Sequence, residues 1–535
     1  MKKMSRTVYI FRWVTIVCFV ISTLAVSAKS SGGDDKEEKV KGKHRRMLEE
    51  AQFFYSIEDH FMSQRIYFDL VELYPENIEF NFRLGYSFLH LRNQEGMAVP
   101  YLEKAAQDDY TPAFYFLAEA YHMDEQFDKA LEALETYRAK DDHTLSHARI
   151  DMAEQRTRTA MAMMARPLDV NIQRLGSNVN TEYQDYAPNI DPEGKFLYFT
   201  SRRPGSTGNY TDQEGNYFED IYVSRNVVGS WTPSEPVAGP VNSDGHDANV
   251  NFSASGNSIL LYRTARNLYS GDLYISSRGK NGWDEPQKMS LAINTDEYHE
   301  PSAAFSPDET EIYVVSDRPG GFGGKDIYII RKLPNGQWSE PENLGKEINS
   351  AFDEDAPFLS LDGHTLFFSS MGHDAIGGYD VFRSKCKIDG EWTSPDHMGY
   401  PINTVHDDIY FSVTADGKRG FLSSSRDATM DIYEIDMLFE QEDLVVVMGM
   451  VMDEYSGLPV NARISFMDYK TGEKFASVIT NTLTGRYVAA IMPDRKYRMI
   501  IDAMGFKDYS DKVEVKVNEK GEFKAELKDI ELEKY

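Results

Sequence analysis

Cysteine is almost missing from these 535 residues: Cys18 lies in an amino-terminal apolar run, leaving Cys386 alone in the rest of the chain. No intrachain disulfide can staple the mature fold, so its stability must come from packing. Positive charge is scarce as well. The 57 Lys and Arg face 86 Asp and Glu, a formal net charge of −29. Phosphate backbones and anionic lipid repel such a chain, which argues against nucleic-acid binding and electrostatic membrane attachment. Enzyme signatures are missing too. There is no Gly-x-Ser-x-Gly elbow, no His-Glu-x-x-His (His299-Glu300 runs on into Pro301-Ser302-Ala303) and no calcium-loop pattern. Gly320 to Lys325 has the glycines of a phosphate loop. Asp326 stands where Ser or Thr is required, however, and the segment reads as a hairpin. The expectation is that the chain is not an enzyme and carries no cofactor or metal site.

Residues 1–28 hold Lys2, Lys3, Arg6 and Arg12, an apolar stretch from Trp13 to Val26, and the small-residue site Val26-Ser27-Ala28. That is the layout of a secretory signal, and its apolar part is short for a spanning helix. No membrane span is expected after cleavage. Thr15-Ile16-Val17 precedes Cys18 in place of a lipid-attachment box. Residues 29–46 are Ser, Gly and mixed charge, a linker.

What the chain has in abundance is periodicity. Asp-apolar-aromatic triplets begin at Asp220, Asp272, Asp326, Asp380 and Asp431, at steps of 52, 54, 54 and 51 residues. Trp231, Trp283, Trp338 and Trp392, each followed shortly by proline, keep the same beat. So do Asn242-Ser243, Asn294-Thr295, Asn349-Ser350 and Asn403-Thr404. A period near fifty with strand-like content predicts propeller blades of four strands over residues 167–437. In the central repeat the strands are Glu300–Ser306, Ile312–Ser316, Lys325–Lys332 and Trp338–Ile348, separated by Pro/Gly/Asn turns. The fifth triplet lacks an outer strand, whereas Val170 to Leu175 has no blade of its own. Five blades whose ring closes by pairing these two ends is the economical solution. Asn209 to Phe218 is an insertion expected to project as a loop.

Residues 47–166 turn helical, with a unit of about 34 residues. Leu84-Gly85 with Phe88, and Leu117-Ala118 with Tyr121, share faces at i, i+1, i+4. Second helices are predicted at Ser63–Tyr74, Met97–Ala106 and Phe127–Tyr137, and a capping helix at Leu145–Ala165. Tyr86, His90, Tyr121 and His122 are candidate liners of a groove for a peptide or helix; inter-helix packing is their simpler role. Residues 443–535 read as seven short strands of a small β-sandwich. The fold class is thus multidomain, α plus all-β.

Two rings of residues recur in the propeller. The triplet aspartates Asp220, Asp272, Asp326, Asp380 and Asp431 occur in every blade, so they read as structural, tying turns or arginines such as Arg318 and Arg426. Asp185, Asp247, His299, Glu354 and Asp408 precede the inner strands, with Glu300, Asp355 and Asp407 beside them. They would crowd one channel mouth as an acidic funnel attracting a cation or a Lys/Arg-rich peptide; solvated hairpin-end carboxylates are the plainer reading.

These repeats resemble TolB-type, WD40-like propellers, on Pro188 to Gly194 with Ser201-x-Arg203, Phe305 to Asp308 with Ser316-x-Arg318, and Ala415-Asp416-Gly417 with Ser424-x-Arg426. Blade two departs at Tyr262-Arg263-Thr264, and blade four has Ser370-Met371-Gly372. The helices resemble tetratricopeptide repeats. The carboxy-terminal part, with Gly449-x-Val451, Pro459-Val460-x-Ala462 and Thr484-Gly485-x-Tyr487, looks like a carboxypeptidase-regulatory-like domain. The order of parts is similar to PorE-type cell-envelope proteins of Bacteroidetes tied to type IX secretion and gliding. Those continue into an OmpA-like domain that is not seen here, so peptidoglycan binding is not expected. The resemblance implies an exported protein, periplasmic or outer-membrane-associated, acting as a scaffold for other envelope proteins. A ligand- or cation-binding sensor propeller is the alternative.

Overall fold

In the computed structural model, residues 40–535 are described apart from 92–93, 141–142, 213–214, 265–269, 388–389, 428, 438–443, 494, 515, 518–522 and 525–528. The expected signal and most of the linker lie outside the described residues. No helix among these residues is long and apolar enough to cross a membrane.

Seven α-helices come first among the described residues: α1 Arg45–Ser56, α2 His60–Leu73, α3 Ile78–Leu89, α4 Val99–Gln107, α5 Thr111–Met123, α6 Phe127–Arg138 and α7 His147–Met164. Local chemistry sets their starts. The side chains of Asp59, Asn77 and Ser146 accept hydrogen bonds from the first-turn amides of Met62, Phe80 and Arg149. Pro100 and Pro112 sit in first turns, where no amide is needed. The helix expected from Met97 begins instead as a 3-10 turn, Glu95–Ala98, running into α4. Gly85 explains the Leu-Gly pair: a Cβ there would lie 2.6 Å from Leu102 Cγ, so only glycine lets α3 meet α4 this closely. Tyr67, Leu70, Leu84, Phe88, Leu102 and Leu134 form the buried helical core.

Five antiparallel units follow, each led by an inner strand: Asp185–Ile190, Asp247–Phe252, Ala303–Phe305, Glu354–Leu359 and Asp408–Val413. Each inner strand contacts the next, and the fifth contacts the first, so the arrangement is propeller-like. The final sheet takes its outer strand from before the first: Asn171 to Arg174 pair antiparallel with Asp436 to Tyr433. Outer strands are shorter than the alternation suggests. In the third unit only Glu342–Asn343 pairs as a strand, with an isolated bridge between Lys332 and Trp338. The Asn marker supplies the physical reason. Asn242, Asn294, Asn349 and Asn403 each accept from and donate to the backbone of the residue after a triplet Asp, namely Ile221, Leu273, Ile327 and Val381. One amide side chain thus does the pairing of a strand residue. Asn180 does the same for Ile432 across the seam.

The last part has two sheets enclosing one core, with a two-stranded ribbon of Lys516–Val517 and Phe523–Lys524 beside them in the sequence. Val445–Asp453 pairs with Arg486–Ile491 and, in parallel, with Ile530–Leu532. Arg463–Asp468 lies between Lys474–Ile479 and Lys496–Asp502, and Tyr509–Glu514 forms the edge. Val447, Ile464, Phe466, Tyr487 and Tyr497 fill the space between.

Neither flanking part hangs free. The carboxy-terminal sheets rest on the turns that follow the inner strands, and all five units contribute. Glu193 pairs with Arg486 at 2.7 Å, and Asn257 Nδ2 donates to the Thr480 carbonyl. Asp308 lies close to Ser477, His364 reaches the Phe475 carbonyl, and Leu361 and Ala415 join the sandwich core. This rim of the disk is covered. On the opposite rim α7 packs Ala160 and Met163 against Ile376 and Val405. His122, buried in α5, bonds Thr157 through one ring nitrogen and the Ile376 carbonyl through the other.

Candidate functional site

The rim opposite the sandwich, on part of which α7 rests, holds both rings of recurring residues. The inner ring is not an open acidic funnel. Asp185, Asp247, Glu354 and Asp408 are fully buried, and the fifth member is Glu300 rather than His299. Each accepts from the Ser or Thr after the Asn marker: Thr181, Ser243, Thr295, Ser350 and Thr404. In four units an arginine completes the pair: Arg203, Arg263, Arg318 and Arg426. Each of these guanidiniums also donates to a carbonyl just before the marker, closing the hairpin. A carboxylate so held is neutralised within the protein and offers nothing to a ligand. His299 instead points to Tyr262, its Nε2 lying 3.0 Å from the hydroxyl.

The fourth unit lacks the arginine. Gly372 occupies its position and His373 takes over the bond to the Ile348 carbonyl. Glu354 keeps only hydroxyl and amide donors from Ser350 and Ser370. Burial without a neighbouring cation pushes its pKa up to about 7.

The triplet aspartates tie loops, but not through Arg318 or Arg426, which belong to the inner ring. Asp220 accepts from the amide and hydroxyl of Thr207, Asp326 from the amides of Phe322 and Gly323, and Asp380 from Ile376 N and His397. Asp272 pairs with Lys288. Asp431 holds Arg174 in a bidentate pair, both contacts 2.9 Å, and so locks the seam. Gly323 and its neighbours therefore shape a turn around Asp326.

Chemistry gathers at the positions beside these rings, which change from unit to unit. Directly before the triplet stand Glu219, Gly271, Lys325, Tyr379 and Met430; directly before the inner acid stand Gln184, His246, His299, Asp353 and Asp407; directly after it stand Tyr186, Ala248, Pro301, Asp355 and Ile409. Lys325 Nζ lies 2.6 Å from Asp355 Oδ2, 2.8 Å from the Tyr379 hydroxyl and 3.6 Å from Asp353. Ser302 donates to the other Asp355 oxygen. Burial opposes charge on both partners, yet the mutual attraction wins: Asp355 is held below and Lys325 above its ordinary range. Across the mouth Tyr186 donates to Glu219, whose second oxygen meets His246 at 3.1 Å. Burial would raise Glu219, but the His246 bond and the charge of Arg202 bring it down. Burial lowers His299 and keeps it neutral at pH 7.

Between these two clusters lie the half-buried rings of Tyr186, Tyr379 and Tyr410. Below them the channel narrows to about 10 Å³ among Ala187, Ser302, Ala356 and Tyr410, room for one water. The insertion folds over the edge. Phe218 is buried against the His246 ring at 4.1 Å and Arg202 pairs with Asp212, while Tyr210 projects to solvent. No group of three or more metal-ligating side chains with metal-site geometry occurs among the described residues. The cation between the mouth's carboxylates is the protein's own Lys325.

Sequence reasoning named Asp355 and Asp407 as neighbours of a ring, and missed Tyr186, Glu219, Lys325, Asp353 and Tyr379. The available signal was the reverse of the one followed. Residues that repeat in every unit build the unit, and those that break the repeat at the same place face the channel. Of the four helical candidates, half-buried Tyr86 and exposed His90 belong to an aromatic cluster with Tyr55, His60 and Phe116. Tyr121 is buried and donates to Glu103, and His122 is the tie to the disk rather than a groove liner.

No protein-family model and no curated protein matches this chain. Among solved structures it is similar to an α-L-arabinofuranosidase from Lactobacillus brevis, at 13% identity over 50% of this chain and 94% of the other, with a TM-score of 0.34. It is similar to a gluconolactonase from Xanthomonas campestris at 14% identity, over 51% and 92% of the two chains, with a TM-score of 0.29. A thermostable family-43 glycoside hydrolase gives 14% identity, 51% and 93% coverage, and a TM-score of 0.33. These three neighbours are enzymes. The expectation that this chain is not one is withdrawn, because missing sequence signatures do not exclude catalysis.

Proposed function

We propose that this chain is an exported cell-envelope scaffold that binds a partner protein at the open mouth of a closed, five-bladed, TolB-type propeller. In this reading the helices are tetratricopeptide-like repeats, the sandwich is of the carboxypeptidase-regulatory-like kind, and the setting is secretion or gliding machinery of the PorE type. One observation carries the reading. The sandwich covers one rim at all five turns, and the charged, unit-specific side chains collect at the other. Their preorganised hydrogen bonds and three tyrosine rings suit recognition of a polar segment of defined shape.

Photocrosslinking in intact cells tests it. A photoreactive residue replacing exposed Glu182, beside the mouth, should give a discrete protein adduct; one replacing fully exposed Val228, on the far rim, should not. Lys325→Ala should weaken the Glu182 adduct while the melting temperature is monitored. No adduct, or equal adducts from both positions, would reject the proposal.

A further inference from the structure

A groove of about 520 Å³ runs between the carboxy-terminal half of α7 and the loop at Gly399 and Tyr400, well apart from the channel. Its floor is apolar: Ala162, Met163, Leu168 and Tyr400. Its walls are fixed by backbone. Leu168 N donates to the Tyr400 carbonyl at 2.8 Å. Gly399 has φ +74°, and Leu168 Cδ1 would lie 3.0 Å from a Cβ there, so the leucine rests directly on the glycine backbone. Met163 is anchored beneath by the cluster at Ile376 and Val405. A groove with set walls loses little entropy when filled.

Charge decides what fits. The chain carries −29 overall, yet this groove is lined by Arg158 and Arg166 and by no acid. Arg158 shares Glu154 with Arg138, whereas no ion pair of Arg166 occurs among the described residues. A basic rim over an apolar floor, on a strongly acidic molecule, complements an apolar segment bearing carboxylates. We infer that this groove docks an acidic, apolar peptide segment of a partner protein. The site is separate from the propeller mouth, and the inference stands whether or not the mouth binds protein.

A random twelve-residue peptide library displayed on phage, panned on the chain from residue 29 to 535, tests this. Ala162→Trp, which fills the groove, and Arg166→Glu, exposed just beyond the end of α7, serve for counter-selection after circular dichroism shows both folded. Peptides retained only by the unmodified groove should pair Leu, Met or Phe with Asp or Glu. By fluorescence anisotropy they should lose at least tenfold in affinity on either variant, and should weaken as salt rises. Peptides without an acidic excess, equal binding to both variants, or no groove-dependent peptide at all would overturn the inference. So would decanoate binding at the groove with higher affinity than any peptide, which would mark a site for acyl chains. If Arg166→Glu does not fold, Arg166→Ala supplies the same comparison.

Discussion

At the scale of single residues the inner ring shows how one missing cation changes behaviour. Glu354 has a folded pKa near 7 against an ordinary 4.5, so the folded state binds its proton more tightly than the unfolded state. Its stabilising contribution is complete below about pH 4.5 and is lost as pH rises through 7. Asp220 and Asp380, each raised to about 6 by burial, act with the same sign. Glu354→Gln should therefore match the unmodified chain at pH 4.5 and exceed it at pH 8 by on the order of 3 kcal/mol, read from urea unfolding. A constant difference across that range would refute the assignment. Arg426→Ala should do the opposite, stranding fully buried Asp408 at a cost of about 3–5 kcal/mol at neutral pH. The ring's period was legible in the sequence; its burial was not, because a run of Asp reads as solvent-facing until its arginines are placed. The slip from His299 to Glu300 has a simple cause. The third connection is one residue longer, six from Asn294 to Glu300 against five from Asn349 to Glu354.

At the scale of elements, turns and alternation are local signals, which is why the sheets, the helices and the pairing of Val170 to Leu175 with the last sheet could be read from the chain alone. Outer strands could not, since an asparagine side chain there replaces ladder bonds and leaves no strand pattern. Glycines between second and third strands are another local device. A Cβ on Gly323 would overlap the carbonyl oxygens of Ser350 and Phe352, in the lead-in to the next sheet, and Gly377 meets those of Thr404 and His406 in the same way. Gly323→Ala and Gly377→Ala should each cost about 1–3 kcal/mol through forced separation of neighbouring sheets. Gly176→Ala, with open space and no positive φ, should fall within about 0.5 kcal/mol. Equal effects in all three would remove the packing argument.

At the scale of the whole molecule the sandwich acts as a lid on one rim, and the channel behind it holds room for one water. Deleting residues 443–535 should raise hydrogen exchange in the turns at 192–194, 253–257 and 361–364, and leave the amides at Asp355 and Tyr379 unchanged. Uniform exposure would mean that the disk depends on its cover. The division of labour between rims was not visible in the sequence, because contacts such as Asn257 to Thr480 join residues 223 positions apart. The seam spans more still: Asn171 meets Asp436 across 265 positions. Each sheet can assemble from its own fifty residues, but the first-made strand must wait for the last. A chain that emerges amino-end first is therefore an open crescent, two raw edges showing, until its final repeat arrives. Through that interval a chaperone gripping either edge, or a neighbouring crescent, competes with closure.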